Sequence, residues 1–121
     1  MVETYGLSHF TLAVADLERS LAFYSAVFGV EKYFRDGDTI QVKGPRPRDV
    51  LAFERRPFSA GERGGIRHFG SRLRTPDAID AAIAEVVSAG GAIHSHGEFG
   101  PGRPYAFVLD PDDYYTGIWF G

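Results

Sequence analysis

From His9 to Val14 the chain alternates. Phe10, Leu12 and Val14 share one parity and His9, Thr11 and Ala13 the other, the pattern of a half-buried strand. The apolar period then lengthens. Leu17, Leu21, Tyr24 and Phe28 recur at helical spacing, with Asp16 placed as an N-cap and Gly29 where a helix stops. Three strands are predicted next, at 30–34, 39–43 and 50–55. Asp36-Gly37-Asp38 gives a hairpin signal between the first two, and Pro45-Arg46-Pro47 a loop between the last two. Residues 57–64 have linker composition, and then the order restarts. A strand at 68–74 leads to a helix opened by Thr75-Pro76-Asp77, with Thr75 as the expected N-cap. Ile79, Ile83, Val86 and Val87 form its expected apolar face, and Gly90-Gly91 end it. Strands at 92–98, 105–109 and 114–120 complete the chain, the last two joined by an Asp110–Asp113 turn.

The pentad Gly6-Leu7-Ser8-His9-Phe10 returns 59 positions later as Gly65-Ile66-Arg67-His68-Phe69. With the element order also repeating, the reading is an α+β fold of two tandem βαβββ modules, about 5–56 and 65–121. Repetition on this scale sets architecture before any local signal does.

Composition narrows the chemistry. At 121 residues, 44% hydrophobic and 24% charged, the chain suits one globular domain. No apolar run reaches membrane-spanning length and no secretory leader is read, so the expectation is a cytoplasmic protein with no membrane partner. A net charge of −3 without basic runs gives no footprint for nucleic acid. With no cysteine, any metal must be held by imidazole, carboxylate or water, which points to Zn, Fe, Mn or Ni. No organic cofactor motif is present.

The order of elements, the run Gly-Leu-Ser-His-Phe-Thr-Leu-Ala-Val from Gly6, the run Asp-Leu-Glu-Arg-Ser-Leu-Ala-Phe-Tyr from Asp16, and the late Asp110-Pro111-Asp112 turn together resemble the vicinal oxygen chelate superfamily. That group includes glyoxalases, bleomycin- and fosfomycin-resistance proteins and extradiol dioxygenases. The resemblance covers essentially the whole chain. It implies an open, cup-shaped mixed sheet with helices outside, a divalent metal inside, and a homodimer.

Parity then assigns candidates. If Phe10, Leu12 and Val14 pack under the helix, His9 and Thr11 face the other way, as do His68 and Arg72 in the second module. Alternation along 50–55 puts Glu54 on that same face. His9, His68 and Glu54 are therefore the expected metal ligands, with Glu54 also the candidate base. The alternative for Glu54 is an ion pair with Arg55 or Arg56. The resemblance places a further ligand, a glutamate, seven residues after Asp110, where this chain has Gly117. Tyr115 and Trp119 flank that position as candidate substrate contacts, with Arg72 and Thr11; the aromatics suit dimer packing equally, and Arg72 a surface ion pair. His94 and His96, two apart on one strand, are expected to share a face. A glycine-rich stretch from Glu98 to Arg103 reads as a mobile loop. Tyr105 is out of register with the catalytic tyrosine of extradiol relatives, whose place falls near Val108.

Two functions follow. One is a metal-dependent small-molecule enzyme of lyase, isomerase or dioxygenase type. The other is a metal-free protein that sequesters a planar hydrophobic compound, as bleomycin-binding relatives do.

Overall fold

The computed structural model describes residues 1–46 and 49–121. Its elements run β1 (His9–Val14), α1 (Leu17–Phe28), β2 (Glu31–Asp36), β3 (Thr39–Lys43) and β4 (Val50–Arg55), then β5 (Phe69–Arg72), α2 (Ile79–Ser88), β6 (Ala92–Glu98), β7 (Pro104–Leu109) and β8 (Tyr115–Trp119). They form two compact units, 1–60 and 61–121. Each holds a four-stranded mixed sheet, ordered β1-β4-β3-β2 in the first and β5-β8-β7-β6 in the second. In both, the first strand pairs in parallel with the last and the other pairings are antiparallel. The two βαβββ modules are therefore present, in the predicted order.

In unit 1 the Asp16 carboxylate accepts from the Arg19 N–H at 3.0 Å, as an N-cap should, and Gly29 closes α1 with φ 65°. Leu17, Ser20, Phe23 and Tyr24 are buried against β3 and β4. Tyr24 is the centre of that contact, with ring centroids 5.1 Å from Phe23 and 5.3 Å from Phe53. Leu12, Val14, Ile40, Val42 and Phe53 complete the core beneath the helix. An ion pair from Arg35 to Glu18 ties β2 to α1. The β2–β3 hairpin turns at Gly37-Asp38, as the sequence signals. Of the predicted 45–47 loop, Pro47 lies outside the described residues.

Unit 2 differs from expectation in three places. The strand starts at Phe69 rather than His68, leaving Arg67 and His68 in the approach to it. The helix opens through a 3₁₀ turn, Pro76–Ala78, and Thr75, although extended, makes no side-chain cap. Its buried residue is Val86, while Val87 is 57% exposed and off the packed face. Beneath α2, Ala106, Val108, Thr116 and Ile118 are buried. Asp110 is also buried, and one of its carboxylate oxygens accepts from the N–H groups of Asp112 and Tyr114, both at 2.9 Å. That bond pair fixes the turn into β8 and so the direction of Tyr115.

No helix among the described residues is long and apolar enough to cross a membrane.

Candidate functional site

The ladder registers state which side chains share the helix-free face of each sheet. In unit 1, His9 lies opposite Val50, Thr11 opposite Ala52 and Ala13 opposite Glu54. His9, Thr11 and Glu54 do share the face that parity assigned. They do not share a place on it. Glu54 stands four positions beyond the residue opposite His9, about 13 Å along the strand at the usual rise. An ion needs each donor about 2 Å away, so the two cannot hold one ion within this unit. The Glu54 carboxylate instead accepts from Arg56 Nε at 2.9 Å, the ion-pair alternative. His9 Nδ1 is 2.7 Å from the Ser8 hydroxyl.

In unit 2, Gly70 is opposite Gly117 and Arg72 opposite Trp119. On the far side of β8, Phe107 is opposite Gly117 and Tyr105 opposite Trp119. Gly117 thus has the register in unit 2 that Ala52 has in unit 1: each pairs with the residue two beyond the histidine. Glu54 corresponds to Trp119, and neither Ala52 nor Gly117 carries a carboxylate. At Gly117 the vacancy has been taken up. A Cβ built there would come within 3.3 Å of the Phe107 ring and 3.9 Å of His68 Cδ2. The missing side chain is what lets that ring lie down on β8.

Phe107 is the centre of a continuous aromatic ledge. Its centroid is 5.0 Å from His68, 5.5 Å from Tyr105 and 5.6 Å from Tyr115. Tyr105 in turn stacks on Phe99 at 4.3 Å, and Tyr115 meets His94 edge-on at 4.7 Å. The Tyr115 hydroxyl is hydrogen-bonded to His94 Nδ1. Arg63 lies over the Tyr115 ring at 5.2 Å, and Arg72 over Trp119 at 4.8 Å, with no ion pair to Arg72 among the described residues. Beside the ledge is a depression of about 440 Å³, lined by Arg63, Ile66, Arg67, His68, His94 and Tyr115.

Phe107, Arg63 and Arg67 were not among the residues singled out from sequence, and His94 was singled out only as a partner of His96 on one face. Phe107 was within reach of the parity argument, since it alternates with the buried Ala106 and Val108. His94 was not. Both it and Ser95 are accommodated opposite the single residue Phe107 by a β-bulge between Ile93 and Ser95. The bulge also reverses the parity beyond it, so His96 pairs with the buried Ala106 and His94 and His96 do not share a face. The 98–103 stretch is a tied turn: Phe99 N–H bonds to the Arg103 carbonyl and Arg103 N–H to that of Gly100, both at 3.0 Å. Phe99, stacked on Tyr105, anchors it.

The family model for the glyoxalase/bleomycin resistance protein/dioxygenase superfamily matches residues 6–117. The chain belongs to this superfamily. A metapyrocatechase from Geobacillus stearothermophilus is 26% identical over 115 residues, covering 94% of the chain and 34% of that protein. The chain thus spans about a third of the length of this curated relative. Among solved structures, a glyoxalase-related enzyme from Fulvimarina pelagi superposes with TM-score 0.79 at 24% identity, over 98% of this chain and 89% of the other. The fosfomycin resistance protein FosX from Mesorhizobium loti superposes with TM-score 0.76 at 19% identity, over 98% and 94%. At such identities the structural likeness shows the fold alone.

Members of the superfamily typically bind a divalent metal. The donors described within each unit, taken by itself, do not fit one. Among the described residues no three His, Asp or Glu side chains are grouped to hold an ion. Each unit offers one histidine at the matched position, with Ala52 or a ring-covered Gly117 beside it.

Proposed function

We propose that this protein is a small-molecule-binding member of the superfamily that takes up a planar aromatic compound on the helix-free face of unit 2, without a metal ion. The observation that carries the reading is the Phe107 ring over Gly117: where a ligating carboxylate would project, the chain presents an aromatic surface continuous with Tyr105, Tyr115 and Phe99. A metal-dependent lyase, isomerase or dioxygenase reaction lacks a donor set in either unit. A flat ligand needs none. Burying about 200 Å² of its apolar surface is worth about 5 kcal/mol, and each ring contact adds about 1 kcal/mol. After the cost of association, a two-ring compound is expected to bind with Kd between about 10 µM and 1 mM.

Calorimetric titration with two-ring aromatics such as 2-naphthoate and 2-naphthamide tests this. Saturable one-to-one binding, unchanged by EDTA and weakened at least tenfold by Phe107→Ala, is the expected result. Binding that requires an added divalent ion, or no binding of either compound, overturns it. A homodimer belongs to the same proposal: each sheet ends in two edge strands, and Leu7, Tyr33 and Phe34 stand exposed in unit 1.

A further inference from the structure

We infer that the ligand is an anion, an aromatic carboxylate whose rings lie on the ledge and whose charged group enters the depression beside it. This rests on the binding function proposed above and specifies its ligand. The lining of the depression carries two arginines, two histidines and a phenol, and no carboxylate. In a chain with net charge −3 such a spot runs against the overall composition. Among the described residues neither arginine has the acidic partner that surface arginines usually find. Arg63 is spent on the Tyr115 ring and on the Arg67 carbonyl at 3.4 Å. The Arg67 guanidinium has no ion pair among the described residues.

Its planar fork matches a carboxylate with two parallel N–H donors. His94 adds a further polar group: its Nδ1 is hydrogen-bonded to the Tyr115 hydroxyl, which leaves Nε2 as the ring atom open to a ligand. Arg67 and His68 are adjacent in sequence yet line the same depression, because β5 begins only at Phe69 and strand alternation does not apply to them. The position is therefore set by where the strand starts. The ring-binding and charge-binding parts meet at Tyr115 and His68, which belong to both. A rigid ligand with its carboxylate directly on the ring system suits that geometry.

The experiment compares 2-naphthoate with 2-naphthamide, which share shape and differ in charge, by calorimetry on the full chain. Wild type is expected to bind the carboxylate at least tenfold more tightly, an advantage that shrinks as salt is raised from 50 to 500 mM. Arg67→Gln should cut the carboxylate-to-amide affinity ratio about five- to twentyfold, the scale of one lost charge-assisted contact. Arg74→Gln, a charge change outside the depression, should leave the ratio unchanged. If Arg67→Gln lowers expression, Arg63→Gln provides the same comparison. Equal affinity for both compounds, or a ratio that Arg67→Gln and Arg63→Gln do not move, overturns the anion assignment and leaves aromatic binding standing. Failure of both compounds to bind overturns the binding function itself, and this inference with it.

Discussion

Gly117→Glu puts back the carboxylate that the superfamily would have on β8, and the structure states what it meets. The new Cβ lies 3.3 Å from Phe107 Cε1, tighter than ordinary contact, so the ring must yield by a few tenths of an ångström. Yielding is resisted, because His68, Tyr105 and Tyr115 surround the ring at 5.0 to 5.6 Å. Overpacking of this kind costs about 1–3 kcal/mol. The carboxylate adds to that, since Gly117 is buried beside aromatic carbon. A total near 2 kcal/mol is expected. Phe107→Ala alone should cost about 2 kcal/mol, below the full-core range because the ring is half-buried. In the double variant the clash is gone, so glutamate should cost at least about 1 kcal/mol less than it does in wild type. Urea unfolding followed by the single tryptophan, Trp119, measures all four proteins. Costs that add within about 0.5 kcal/mol would show that Phe107 does not occupy the place of the missing side chain. A rise in the Gly117→Glu midpoint with stoichiometric Mn, Ni or Zn, absent in wild type, would return the site to the metal-enzyme reading.

Other substitutions check the supporting structure. Asp16→Ala should lower stability by about 1 kcal/mol by removing the α1 cap, read as a shift in urea midpoint. Asp110→Ala should cost about 2–3 kcal/mol, because a buried oxygen serving two backbone donors is lost, and near-ultraviolet dichroism should register the displaced Tyr115. Asp113→Gly should stabilise by up to about 1 kcal/mol, since Asp113 holds φ 67°. Light scattering at micromolar concentration should give a dimer mass; a monomer alone would remove the homodimer.

Much of the fold was legible because its signals are local. The His9–Val14 strand, the Asp16 and Gly29 caps and the hairpin turns each depend on a few adjacent residues and stand as read, except that Phe10, at the strand's open end, is exposed while Leu12 and Val14 are buried. What was not legible depends on pairing. Parity tells which face a side chain takes, and it placed His9, Thr11 and Glu54 together correctly. Register tells where along the face it lies, and only the β1–β4 ladder sets Glu54 opposite Ala13 rather than near His9. A single inserted residue undoes parity altogether, which is how the bulge at His94 separated it from His96. Thr75 takes the extended N-cap conformation, but the turn it opens is 3₁₀ and its side chain makes no cap bond.

The repeat makes the site readable in a second way, because each unit is a control for the other. Both modules place a histidine at the mouth of their first strand, and both carry a bulge in the strand of their first hairpin, between Lys32 and Phe34 in one and between Ile93 and Ser95 in the other. In both, the bulged residue sends its side chain across the sheet to a partner: Tyr33 donates to Gln41 Oε1 at 2.6 Å, and His94 meets Tyr115. The shared backbone features follow from the fold and say nothing about function. The faces differ, and the difference is chemical. Unit 1 presents Thr11, Gln41 and Glu54, the last two already paired, with Tyr33 and Phe34 beside Gln41 on the edge strand and no aromatic on β1 or β4 of that face. Unit 2 presents Tyr105, Phe107, Tyr115 and Trp119 at corresponding depth, with Gly117 left bare so that a ring can cover it. Aromatic carbon kept half-exposed is costly to maintain unless something covers it. With a carboxylate-free cationic depression at the edge of this face, the cover we propose is a flat, negatively charged molecule.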